Sequence, residues 1–117
     1  MNGGMHSGNT MARQEFMIAP LGATSMAHAV QMGAEVYQTL KSVIKTKFGA
    51  SAIGIGDEGW FAPPLRHPHE ALDLLVESIE KAAHGGKIKI GIDPASQEFL
   101  RDEGRKVVYD LGFKDPR

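Results

Sequence analysis

Two carboxylates, Asp57 and Glu58, stand between glycines in Gly56-Asp57-Glu58-Gly59-Trp60-Phe61-Ala62-Pro63. Glycine lets backbone crowd a ligand, and a glutamate beside a tryptophan and a phenylalanine is placed to be desolvated and to hold a proton near neutral pH. That is the chemistry of a general acid. Acidic residues in glycine loops also cap helices or bind solvent, so the pattern leaves both readings open. Two further acids punctuate apolar runs: Glu15 in Gln14-Glu15-Phe16 and Asp93 in Gly91-Ile92-Asp93. Taken by themselves, Glu15 is a strand-edge charge and Asp93 a strand-end turn residue. Trp60 is read as packing in preference to a pocket wall.

The elements that must position these residues follow from periodicity. Phe16-Met17-Ile18-Ala19, stopped by Pro20, has the length and continuity of a strand buried on both faces, which favours a parallel sheet. From Met26 to Phe48 apolar residues recur at spacings of three and four, the pattern of one long helix, with Thr24 or Ser25 at its start and Gly49 closing it in the left-handed conformation. A second helix is marked by Pro68 in its first turn, by Ala71, Leu72, Leu75 and Ile79, and by an end at Gly85-Gly86. Ile88, Ile90 and Ile92 alternate with Lys89 and Gly91 into a strand tipped by Asp93, and Val107-Val108-Tyr109 is one more short strand. Ile53-Gly54-Ile55 is too short to assign. Residues 1–15 open glycine-rich and polar, the composition of a mobile segment.

Composition bounds the function. The chain has 117 residues, 42% of them hydrophobic, a formal net charge of -1 and no cysteine. That describes one globular domain with no disulfide or thiolate metal site, and a metal here takes oxygen or imidazole ligands. Lys41, Lys45 and Lys47 form a solvated helix end without interleaved aromatics, so nucleic acid is not the expected partner. Short, interrupted apolar runs and no secretory pattern lead to a cytoplasmic expectation with no membrane segment. Strands alternating with helices, with acids at strand tips, fit an α/β fold whose site lies at the carboxyl ends of strands. A closed eight-stranded barrel needs about 250 residues, so these 117 residues make a partial one.

Asn2-Gly3-Gly4-Met5-His6-Ser7-Gly8-Asn9, Gln14-Glu15-Phe16-Met17, Met32-Gly33-Ala34-Glu35-Val36-Tyr37, Gly56-Asp57-Glu58-Gly59, Phe61-Ala62-Pro63, Glu70-Ala71-Leu72-Asp73-Leu74 and Ile92-Asp93 together resemble, in order, the front part of the catalytic barrel of enolase, or phosphopyruvate hydratase. The resemblance implies one domain, 1–117, of a partial TIM-like (β/α) barrel of the enolase type. It would cover about the first three strands and first two helices, without the N-terminal capping domain or the rest of the barrel. The family barrel begins with two strands and two helices before regular alternation.

The implied chemistry is the magnesium-dependent, reversible loss of water from 2-phosphoglycerate to give phosphoenolpyruvate, in a protein that is a homodimer at full length. Within it the resemblance makes Glu58 the proton donor and Glu15 its support and a substrate contact. His6 becomes a lid residue near the substrate, Gln14 a substrate-side neighbour and Asp93 the first of three magnesium carboxylates. The family's lysine base, its other two metal carboxylates and its phosphate-gripping residues correspond to sequence beyond Arg117, so residues 1–117 by themselves are expected to be inactive. The alternative is a non-catalytic, enolase-derived binding or interaction protein, or a degenerate paralogue. The family usually has a second glycine where Trp60 stands, which brings an indole beside the acid loop.

Overall fold

The computed structural model describes residues 1–56, 58–104 and 106–114. Asp57, read above with Glu58, lies outside them. In chain order the elements are β1 (Glu15–Ala19), α1 (Met26–Phe48), α2 (Pro68–Lys81), β2 (Lys89–Asp93), β3 (Leu100–Asp102) and β4 (Val107–Tyr109). Short 3-10 turns occur at Gly4–His6, Ala50–Ile53 and Ser96–Phe99.

β1 and β2 pair antiparallel, with Glu15 opposite Asp93, Phe16 opposite Ile92 and Ile18 opposite Ile90. This corrects the parallel sheet expected from the alternation of elements. A single crossover helix returns the chain in its original direction, whereas two helices in succession reverse it once more. The direction of β2 is therefore set by α1 and α2 both lying between the strands. β1 is also not buried on both faces: Phe16 is 2% exposed while Met17 is 45% exposed. Phe16 and Ile18 face the helices, and Glu15 and Met17 take the opposite face, as the period of a strand requires. The second sheet is the antiparallel pair β3–β4, of which only β4 was foreseen.

α1 runs 23 residues, capped by the Ser25 hydroxyl, which accepts from His28 N–H at 3.1 Å. At its other end Gly49 adopts φ 88°, ψ 174°, a positive φ that glycine permits but outside the expected left-handed helical basin. α1 buries Met32, Val36, Leu40, Val43 and Ile44 against α2, whose inward face is Ala71, Leu74, Leu75, Ser78 and Ile79. Ser78 is completely buried, and its hydroxyl donates to the Leu74 carbonyl at 2.6 Å. At the start of α2 the Glu70 carboxylate accepts the Arg66 and His67 backbone N–H groups, each at 2.7 Å, satisfying donors that the helix leaves unpaired. α2 ends at Lys81, short of Gly85, because Ala83 turns the chain at φ 61°. Lys47 and Glu77 tie the two helices at 2.6 Å.

The segment 1–15, expected to be mobile, is anchored. Met1, Met11 and Ala12 are buried, and the Asn9 amide donates to the Asn2 and Pro63 carbonyls, each at 3.1 Å. Among the described residues, no helix is long and apolar enough to cross a membrane.

Candidate functional site

His6, Glu15 and Glu58 come from three separate stretches, and each offers a ligand atom within 4.8 Å of the others. Glu15 is delivered by the first position of β1, on the sheet face turned away from the helices. His6 is delivered by the 3-10 turn Gly4–His6, whose backbone is fixed by Gly3 N–H donating to Gln14 and Gly4 N–H donating to Met11, both at 2.8 Å. The Lys114 ammonium grips the same turn, donating to the Gly4 carbonyl and, at 2.9 Å, to the Ser7 carbonyl. Burial depresses the pKa of that ammonium. Sequence reasoning gave Lys114 no role, since only folding brings it to residue 4.

Glu58 sits in a tight loop closed by backbone bonds: Gly56 N–H to Trp60 O at 3.1 Å and Gly59 N–H to Gly56 O at 2.9 Å. The Tyr37 hydroxyl tethers the loop to α1 by donating to the Gly59 carbonyl at 2.8 Å. Glu58 is exposed, not desolvated between two aromatic side chains as expected. Phe61, which forms an isolated antiparallel bridge with Ile55, turns inward, is 1% exposed and stacks on Tyr37 at 4.6 Å. Trp60 turns the other way. It lines a cleft of about 380 Å³ together with His6, Gly56 and Glu58, so it is a pocket wall and not plain packing. Its Nε1 donates to Glu58 Oε2 at 3.1 Å.

Asp93 is the Cα partner of Glu15 across the ladder, at the same end of the sheet as the cluster but outside it. Its Oδ1 accepts the Ala95 N–H at 2.9 Å, the strand-end turn bond that local reasoning foresaw. Gln14 packs against Gly4, where an added Cβ would meet the Gln14 Cβ at 3.0 Å.

The donor set is chemically suited to a cation. Two carboxylates and an imidazole converge at one sheet end, and a third carboxylate stands across the ladder. Asp93 has one oxygen held by backbone, which orients the group in the manner common for ligating carboxylates.

An acid-lined cleft at the end of a sheet backed by helices defines a class of α/β domain whose site lies at strand termini. Comparison with known proteins makes that class specific. The family described as Enolase, C-terminal TIM barrel domain, matches residues 1–117, and the chain belongs to it. It is 54% identical over 116 residues to an enolase of Eimeria tenella, covering 99% of this chain and 26% of that protein. It is 55% identical over 116 residues to enolase 1 of Entamoeba histolytica, with the same coverage. The chain thus spans about a quarter of the length of these relatives. Among the described residues its fold is a mixed α/β unit of two helices and two small sheets, without a closed barrel.

Proposed function

We propose that residues 1–117 supply the acid side of an enolase site, which interconverts 2-phosphoglycerate and phosphoenolpyruvate with magnesium. The observation that carries this reading is the convergence of His6, Glu15 and Glu58 within 4.8 Å, each from a stretch that resembles an enolase motif.

Glu58 gives its proton to the departing hydroxide, which leaves as water as the carbon–oxygen bond breaks. Its exposed position on the cleft suits a group that must meet substrate. Glu15, anchored at the start of β1, supports that acid and contacts the substrate. His6 covers the cleft from the 3-10 turn, where it helps exclude water once substrate is bound. Gln14 holds the turn that carries His6, through its carbonyl and its packing on Gly4.

Asp93 would hold magnesium, a hard cation that prefers oxygen ligands and keeps waters and substrate oxygens beside a few carboxylates. When bound, the metal would supply positive charge to offset the negative charge that develops on the substrate. One carboxylate is a weak site, so residues 1–117 alone bind magnesium poorly and do not turn over substrate, because the groups of such a site work as a unit.

The test replaces the corresponding segment of the Eimeria tenella enolase with residues 1–117. The chimera is expected to form phosphoenolpyruvate from 2-phosphoglycerate with magnesium, while the polypeptide 1–117 is silent. A folded chimera without turnover would overturn the reading and favour a non-catalytic binding protein.

A further inference from the structure

Trp60 is the one tryptophan of the chain. It makes three contacts that plain packing does not require together. Its indole N–H donates to Glu58 Oε2 at 3.1 Å. Its six-membered ring lies so close to Gly56 that a Cβ there would fall 2.4 Å from Cη2 and 2.6 Å from Cζ2 and Cζ3. Its plane lies 12° from that of the His6 imidazole, with ring centroids 6.5 Å apart. One side chain therefore touches both the loop that carries the acid and the turn that carries the histidine.

An exposed glutamate has three rotatable side-chain bonds and no packing to select among them. A hydrogen bond from a fixed donor is directional enough to select one arrangement. The indole that donates it is itself immobilised, with Gly56 on one side and the Gly56 N–H bond to its own carbonyl closing the loop. The geometry points to Trp60 as a positioning residue: it holds the Glu58 carboxylate in the space shared with His6 and Glu15, and registers the His6 turn against the acid loop. Gly56 is the necessary companion, since any larger residue would displace the indole. This role rests on the reading of Glu58 as the proton donor.

The test uses the single indole N–H resonance of ¹⁵N-labelled 1–117. In Glu58→Ala that resonance is expected to move to the position of a solvent-bonded indole and to exchange faster with water, while the backbone amide spectrum away from residues 56–60 stays in place. An unmoved indole resonance in a folded Glu58→Ala protein would overturn the proposal. Should that variant fail to fold, wild-type exchange decides: a retarded indole N–H supports the bond, and exchange as fast as free indole removes it. In the chimera, Trp60→Phe keeps a ring but no donor, and is expected to lower kcat about tenfold with KM little changed, the scale of one hydrogen bond. An unchanged kcat would count against positioning. A wild-type chimera without turnover would sink the proton-donor reading alone, because the indole resonance reads the Trp60–Glu58 bond with no substrate present.

Discussion

Glu15 and Asp93 stand directly opposite each other at one end of the β1–β2 ladder. Opposed residues of an antiparallel pair share a face, so two carboxylates stand on the side of the sheet turned from the helices, with the Met1 ammonium interacting with Glu15. Like charges directly opposite cost stability, roughly 0.2–1 kcal/mol. Asp93→Asn removes the repulsion and keeps Oδ1 as acceptor for the Ala95 N–H. Urea denaturation is expected to show a gain of about 0.5 kcal/mol. A lower midpoint would mean that the aspartate charge is compensated and that the pair is not under tension.

Asn9 lies 8% exposed, with its amide N–H groups on Asn2 and Pro63 and its oxygen accepting the Met11 N–H at 3.3 Å. Asn9→Ala leaves those backbone groups without partners in a buried setting, and the expected loss is about 2 kcal/mol. Asn9→Asp keeps the acceptor but not the donors and should lose a similar amount. Chemical denaturation of both variants checks this. A change within experimental error would show that Asn9 does not hold the N-terminal segment in place.

The pH dependence of stability follows from Glu70. Hydrogen bonds from the His67 and Arg66 backbone N–H groups hold its carboxyl below the ordinary 4.5 of a glutamate. The folded pKa is thus the lower one, and the unfolded chain binds the proton first as pH falls. The stabilisation is complete above about 4.5, the unfolded value, and is lost as pH drops through the folded pKa. Glu35, bonded by Gln31 and His84, and Glu77, bonded by Lys47 and Lys81, shift in the same direction. Glu70→Gln should flatten part of the acid limb of a stability profile and cost about 1 kcal/mol at neutral pH, the scale of a helix cap. An acid limb identical to wild type would contradict the capping role.

Lys114 donates to carbonyls on both sides of His6. Lys114→Met should leave the helices intact and raise amide exchange at residues 4–7. Unchanged exchange there would show that the turn is fixed by its own backbone bonds.

Much of the fold was legible because its signals are local. The stripe of α1, the Pro68 start of α2 and the Ile88-Ile90-Ile92 alternation each predict an element from its own residues. Strand direction was not, because it depends on how many helices intervene and not on the strand. The exposure of Met17 was missed for the same reason: a continuous apolar run does not say how many layers will cover it. Within the candidate site, Glu58 stood out by its glycine loop and His6 and Glu15 only through motif resemblance, and the meeting of the three is a property of the fold. The opposite turns of Trp60 and Phe61 come from the Ile55–Phe61 bridge, which no spacing in the loop announces. Asn9 and Lys114 carry no sequence signal, since their partners lie 54 and 110 residues away.

The most direct test of the central claim is the turnover of 2-phosphoglycerate by the chimera carrying Glu58→Gln. That change keeps size and hydrogen bonding but removes the transferable proton. A fall in kcat of about 10²–10⁴ is expected, the contribution of a positioned general acid, in a protein whose fold and thermal midpoint are unchanged. A Glu58→Gln chimera that dehydrates 2-phosphoglycerate at the wild-type rate would show that the proton comes from elsewhere.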